Sequence, residues 1–296
     1  MAWNYLFFVL STFFVILIAN AHGLDSENII GGTPADINSN NFMVSIHTKS
    51  YQICGGALID ADVVLTAAHC FDTNGTRYIP FEYRNNTFFV VAGTKDAADF
   101  THRIRVDKIY LHAQYSKNRS IFNDIAILKL KEKFDVVNYS NIGVARLPKI
   151  DEDYEGKVGR VLGFGADAVR YSKSKKIWKP SRYLETLQQA TVQIVDPKKC
   201  KVHKYQDFLC GMTIPLEGQG VACAVGVCKG DSGGPLMLND TVIGIVSTSQ
   251  LNYDNRFEPA TYIKVSKYLN FIENAIRGYE SIDTVVIPVK SRKRKI

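Results

Sequence analysis

The chain has 296 residues, 46% of them hydrophobic and 22% charged, with a formal net charge of +7. Such a composition is ordinary for a globular protein and supplies a large buried core in one or two domains. Neither an RNA- or DNA-binding signature nor a Cys/His pattern with zinc spacing accompanies the basic charge, so nucleic-acid and structural-zinc classes are set aside.

Residues 1–23 carry the apolar runs Leu6–Leu10 and Phe13–Ile18, followed by Ala19-Asn20-Ala21. Small residues at that spacing after a short apolar run predict a secretory signal peptide. The segment lacks an early Lys or Arg, which leaves a retained membrane anchor as the alternative. The 6 cysteines, an even number behind such a segment, predict disulfides. Residues 24–28 then form a very short stretch ahead of Ile29-Ile30-Gly31-Gly32.

From Phe42 the pattern is one of strands. Phe42–His47 alternates, and Cys54–Ile59, Val63–Thr66, Phe88–Ala92 and Ile104–Leu111 follow at short spacing with turn residues between them. That succession predicts an all-β barrel or sandwich. Ile125–Leu128, Val161–Gly165, Gln188–Val195, Val242–Ser249 and Tyr262–Val265 continue it. The Lys-rich stretch Asp167–Tyr183 reads as an exposed loop, mobile and easily nicked. Asp196-Pro197 opens a short helical turn toward Cys200. Near the end, Ser266 is placed to cap a helix with Leu269, Ile272, Ala275 and Ile276 on one face, stopping near Gly278. Residues 279–296 finish in Lys290-Ser291-Arg292-Lys293-Arg294-Lys295-Ile296, and disorder is the expectation there.

Five Asn-X-Ser/Thr triplets, at Asn74, Asn85, Asn118, Asn138 and Asn239, are glycosylation acceptors in a secreted chain.

Three stretches carry chemistry. Gly230-Asp231-Ser232-Gly233-Gly234-Pro235 holds a serine among glycines directly after an acid. Glycines permit the tight turn that would project Ser232 Oγ and aim successive N–H groups at one point. A serine hydroxyl is a weak nucleophile and needs a base. Leu65-Thr66-Ala67-Ala68-His69-Cys70 supplies one, and Asn123-Asp124-Ile125-Ala126-Ile127-Leu128 supplies an acid to orient it. Each stretch alone reads equally as a glycine turn, a packed histidine or a strand-capping aspartate. Together, in the order His, Asp, Ser and behind Ile29-Ile30-Gly31-Gly32, they resemble the chymotrypsin-like, trypsin-fold serine endopeptidases, as seen in secreted invertebrate members. The resemblance runs from Ile29 to about Arg277.

The resemblance implies an all-β fold: two six-stranded antiparallel β-barrels with the active site between them, plus a C-terminal helix. The domain is then 29–278. Ser232 is the implied nucleophile, His69 the base and Asp124 its orienting acid, with the N–H groups of Gly230 and Ser232 as the oxyanion hole. No cofactor and no metal are implied. Cleavage after Asn28 would free the Ile29 amine to pair with Asp231, a buried charge meeting a buried charge. Asn28 is not the Arg or Lys that a tryptic activator needs, so an activating protease of other specificity is implied.

The resemblance also implies the bridges Cys54–Cys70 and Cys200–Cys210. Gly159 and Leu238 stand where another family pair would be. Cys223 and Cys228 remain, either bridged to each other or both free. The specificity pocket maps to Gly226 and Val227 at its floor and to Ser247, Thr248, Ser249 and Ala260 at its walls. A floor without an acid disfavours Lys and Arg side chains. Uncharged apolar residues are expected at P1, the substrate position before the cut. Protein or peptide substrates are the expected partners, with protein inhibitors and a polyanion contact through the basic loop and tail as further ones, and no nucleic acid; a monomer is expected. The contrasting reading is a catalytically silent homologue that acts as a binding or cofactor protein, since fold does not fix function.

Overall fold

The computed structural model describes residues 32–49, 51–71, 87–115, 122–172, 177–183, 186–200, 205–214, 227, 230–248, 259–279 and 281–289. Residues 1–31, with the signal-peptide and propeptide expectations, lie outside them.

The first sheet is built from β2 (Met43–His47), β3 (Gln52–Asp60), β4 (Val63–Thr66), β5 (Phe89–Ala92), β6 (Arg103–His112) and β7 (Ala126–Leu130). Their order is β6-β5-β2-β3-β4-β7, and pairing of β6 with β7 closes a six-stranded antiparallel barrel. Val44, Ile46, Leu58, Val64, Val90, Val106, Ile109 and Leu128 fill its interior. The second barrel uses β8 (Val158–Gly163), β11 (Gln188–Val195), β12 (Phe208–Thr213), β13 (Pro235–Leu238), β14 (Thr241–Thr248) and β15 (Ala260–Lys264). It runs β11-β12-β15-β14-β13-β8 and closes through β11 on β8. Its interior holds Val161, Val192, Leu236, Ile243 and Tyr262. Alternation along β11, buried at every second residue, is the period that puts one face inward.

A third apolar cluster joins the barrels. Met43, Leu65 and Ile127 of the first meet Leu162, Met237 and Ile245 of the second, with Tyr268, Phe271 and Ile272 covering one end. The helix α1 (Leu269–Ile276) thus seals the seam. It begins differently from expectation. Ser266 sits buried in the 3₁₀ turn Val265–Lys267, and Tyr268 is at the N-cap with no side-chain cap. The helix ends as expected, with Gly278 at φ 74°, the left-handed stop that glycine takes most easily.

Two stretches depart from the sequence expectations. Asp167–Tyr183, read as a loop, is largely a hairpin: β9 (Ala166–Ser172) pairs antiparallel with β10 (Ile177–Tyr183). Val169, Tyr171, Ile177, Trp178 and Tyr183 are good strand formers on either side of a Lys/Ser-rich connection, and the basic charge obscured them. The tail expected to be disordered contains β16 (Thr284–Pro288), antiparallel to β6 from Thr284 opposite His112 to Pro288 opposite Lys108. Val286 and Ile287 pack on the two cores of the first barrel's end. Residues 290–296 lie outside the described ones. The short strand β1 (Thr33–Pro34) pairs with β11. The two ends of the described chain are therefore strapped to opposite barrels.

Both implied bridges of the described cysteines are present, Cys54–Cys70 and Cys200–Cys210. Cys223 and Cys228 lie outside the described residues. No described helix is long and apolar enough to cross a membrane.

Candidate active site

The antiparallel register between β4 and β7 sets Thr66 opposite Ala126. The chain leaving β4 and the chain entering β7 therefore lie at one end of the barrel. His69 stands in the 3₁₀ turn just past β4, and Asp124 just before β7. The Cys54–Cys70 bridge ties that turn to β3.

Asp124 is fully buried. Its Oδ2 lies 2.7 Å from His69 Nδ1 and accepts a hydrogen bond from Ser247 Oγ at 2.6 Å. Its Oδ1 accepts from the His69 backbone N–H at 2.8 Å. Burial by itself pushes the carboxyl's pKa up. The neighbouring His69, the bonds from its ring and from Ser247, and the His69 N–H outweigh that and hold it below the usual value. The acid stays ionised in a dry site because hydrogen bonds to the charged form favour it. His69 carries the opposite exposure pattern, with its side chain 17% accessible against none for Asp124. One ring nitrogen is anchored inside, leaving the outer edge of the ring toward solvent.

Ser232 comes from the other barrel, in the turn before β13. Its carbonyl accepts from Gly55 N–H on β3 at 2.8 Å, a backbone bond across the seam. Gly233 makes this approach feasible. Its φ is 78°, and a Cβ there would stand 2.2 Å from Thr66 Oγ1 and 2.7 Å from Gly55 O. Gly233 N–H donates to Val246 O and Gly234 N–H to Asp231 O. Among the described residues, the N–H groups of Gly230 and Ser232 make no hydrogen bond. Gly230 has φ 105°, and Gln52 Nε2 donates to its carbonyl at 3.4 Å.

Asp231 is also fully buried, and its Oδ1 accepts from Gly165 N–H at 2.8 Å. A Cβ at Gly163 would fall 1.8 Å from that same oxygen. Tyr262, wholly buried nearby, has its hydroxyl pushed upward in pKa by burial and then by the Asp231 charge.

Of the pocket residues, Ser247 and Thr248 end β14, and Ala260 begins β15. Val227 is buried in the same cluster as Ala260. Gly226 and Ser249 lie outside the described residues, as do Asn28, Ile29, Asn74, Asn85 and Asn118. Asn138 and Asn239 are exposed. The Asn138 amide donates to Asp135 Oδ2 at 2.6 Å.

Sequence reasoning missed two contributions. Ser247 was read only as pocket wall, yet it donates to Asp124. Asn123 takes φ 51° and is bracketed, its Nδ2 donating to Gln114 O at 3.0 Å and its Oδ1 accepting from Tyr268 OH at 3.1 Å. Neither partner lies near Asp124 in sequence, so no local motif signals them. Cys54, His69 and Cys70 cluster within ligand distance, but the disulfide uses both sulfurs, and no thiolate is left for a metal.

Comparison with known proteins fits this geometry. The trypsin family model matches residues 29–272, and the chain belongs to that family of serine proteases. It is 31% identical to the venom peptide isomerase heavy chain of Agelenopsis aperta, over 82% of this chain and 98% of that one. It is 30% identical to snake venom serine protease 3 of Protobothrops flavoviridis, over 86% and 89%. Among solved structures, an inactivated scabies mite protease paralogue, S-D1, superposes with a TM-score of 0.64 over 86% of this chain and 99% of that one. At 20% identity that likeness concerns the fold.

Proposed function

We propose that the chain is a secreted serine endopeptidase working through Ser232, His69 and Asp124. The observation that carries the reading is the buried Asp124, held ionised by the His69 ring, the His69 N–H and Ser247. An acid so placed keeps the proton on Nδ1 and leaves Nε2 to accept one. Ser232 Oγ attacks the scissile carbonyl and gives its proton to His69 Nε2. His69 returns that proton to the leaving amine, and water then repeats the sequence on the acyl-enzyme. The Gly230 and Ser232 N–H groups, which have no other described partner, suit the developing oxyanion. Snake relatives are named as venom serine proteases, which supports both the reaction class and export.

Activation by cleavage between Asn28 and Ile29 belongs to the same reading. Asp231 is a buried carboxylate in a site cleared by glycines, suited to receive the new ammonium group. The pocket formed by Gly226, Val227, Ser247, Thr248, Ser249 and Ala260 is proposed to take uncharged apolar P1 residues. The lining named here offers no carboxylate to pair with a Lys or Arg, whereas an apolar side chain gains about 1.5–3 kcal/mol on burial.

The test is labelling by an organofluorophosphonate of protein processed to begin at Ile29. Label on Ser232, absent from the unprocessed form and from Ser232→Ala, is the expected result. Correctly processed, folded protein that takes no label would instead identify a silent homologue.

A further inference from the structure

The segment after α1 lies on the first barrel, at the one edge the barrel itself leaves open. β6 is longer than its neighbour β5, which covers Arg103 to Arg105. Lys108 to Leu111 pair with β7 on one edge and with β16 on the other. β16 therefore continues the line of β5 and completes the pairing of β6 as far as His112. Two bonds fasten it at its ends: Val289 N–H donates to Asp107 O at 2.9 Å, and Ala113 N–H donates to Asp283 O at 2.8 Å.

The second of those bonds touches the turn that serves the active site. His112 closes β6. Its Nδ1 accepts from Gln114 N–H at 3.2 Å, and its backbone N–H donates to Ile125 O. Its ring meets Tyr268 edge-on at 5.6 Å and Phe271 at 5.3 Å. Gln114 and Tyr268 are the two partners that bracket Asn123. Asn123 sits at positive φ immediately before Asp124, a backbone state that asparagine can take and that its two side-chain bonds hold in one geometry. Both groups that hold Asn123 touch His112, and His112 is paired with Thr284.

We infer that β16 is a positioning element of the active site, bracing Asp124 through His112, Tyr268 and Asn123. Asn123 and Tyr268 are positioning residues in this scheme; neither touches a reacting atom. The inference rests on the proposed role of Asp124. Without β16, the last turns of β6 lose their outer pairing and the Gln114 turn loses its tie to Asp283. Asn123 is then free to relax, and the carboxylate shifts under the imidazole.

The experiment compares three forms that begin at Ile29 and end at Ile296, Val289 or Glu280, on one peptide substrate. The form ending at Glu280 is expected to lose about tenfold in kcat with KM nearly unchanged, since small misplacements of catalytic groups act on the chemical step. The form ending at Val289 should match full length. Tyr268→Phe should lower kcat in the same way, and shortening to Glu280 in that background should add little. The low-field proton resonance of His69 Nδ1–H should shift in the short form, and a peptide of residues 281–289 should restore it saturably. Unchanged kcat and resonance at Glu280, an equal loss at Val289, or full additivity with Tyr268→Phe would overturn the inference. Tyr268→Phe leaves β16 in place and carries the test if the short form does not fold. A full-length form without turnover would refute the proposed function instead, and the resonance would still decide the role of β16.

Discussion

Asp124 and Asp231 are both fully buried carboxylates, one on the edge of each barrel, and they are housed by opposite means. Asp124 is held by what surrounds it: an imidazole, a backbone N–H and a hydroxyl within 2.8 Å. Asp231 accepts a backbone N–H from Gly165 at 2.8 Å and sits where side chains have been taken away. Gly163 and Gly165 give up their side chains, and a Cβ on either would stand within 2.5 Å of the carboxylate. The first arrangement keeps a charge in one geometry at all times. The second clears side-chain volume from around a charge, so that backbone can approach it closely. A buried carboxylate can thus be accommodated by added donors or by cleared side chains.

The contrast can be broken most sharply at Asp124. Asp124→Asn preserves shape but donates where an acceptor is needed, turning the His69 tautomer around. A fall in kcat of about 10⁴ is expected with KM little changed, measured on a peptide substrate. The equivalent change at Asp231 should act instead on activation, leaving unprocessed protein as it was.

A third buried titratable group sharpens the comparison. His47 is buried, with Nε2 2.8 Å from Ser45 Oγ, and among the described residues no carboxylate favours its charged form. Burial pulls its pKa from 6.5 to about 4. The unfolded chain therefore binds this proton first as pH falls. The contribution is fully present above pH 6.5 and is lost progressively down to about pH 4. Its size is at most about 3 kcal/mol. Urea unfolding at a series of pH values should show that slope, and His47→Gln should flatten it.

Gly163→Ala tests the cleared space. The added carbon meets Asp231 Oδ1 at 1.8 Å, so the strand or the acid must move, at a cost of about 1–3 kcal/mol. A lowered thermal midpoint and poor activation after cleavage are expected together. The smallest effect belongs to Ser247→Ala. It removes one of the donors to Asp124 and leaves those from His69, so a drop in kcat of about tenfold is expected, from loss of one hydrogen bond to a charged group.

The sequence makes the local parts of this architecture legible. His69, Asp124 and Ser232 each sit in a short stretch whose neighbours have a reason to be there, and β2 to β7 stand out as short apolar runs separated by turn residues. Contacts between distant segments are not legible in that way. β16 has no clean alternation, being partly exposed along its length, and its partner strand lies on the far side of the chain. The β9–β10 hairpin hid behind its lysines, because Lys173, Lys175, Lys176 and Lys179 together give the stretch the composition of a loop. Ser247 as a donor to Asp124, and Gln114 with Tyr268 around Asn123, are matters of three-dimensional register. No spacing along one segment encodes them.

The crossed straps at the two ends bear on how this chain acquires its structure. β1 adds an edge strand to the second barrel, while β16, last of the described strands to be synthesised, adds one to the first. The first barrel can close through β6 and β7, but the outer edge of Lys108–His112 stays unpaired until β16 has emerged. An open edge is a template for pairing with other chains, and such late, non-local closure slows folding. Between synthesis of β6 and arrival of β16, that edge is open to pairing with another chain.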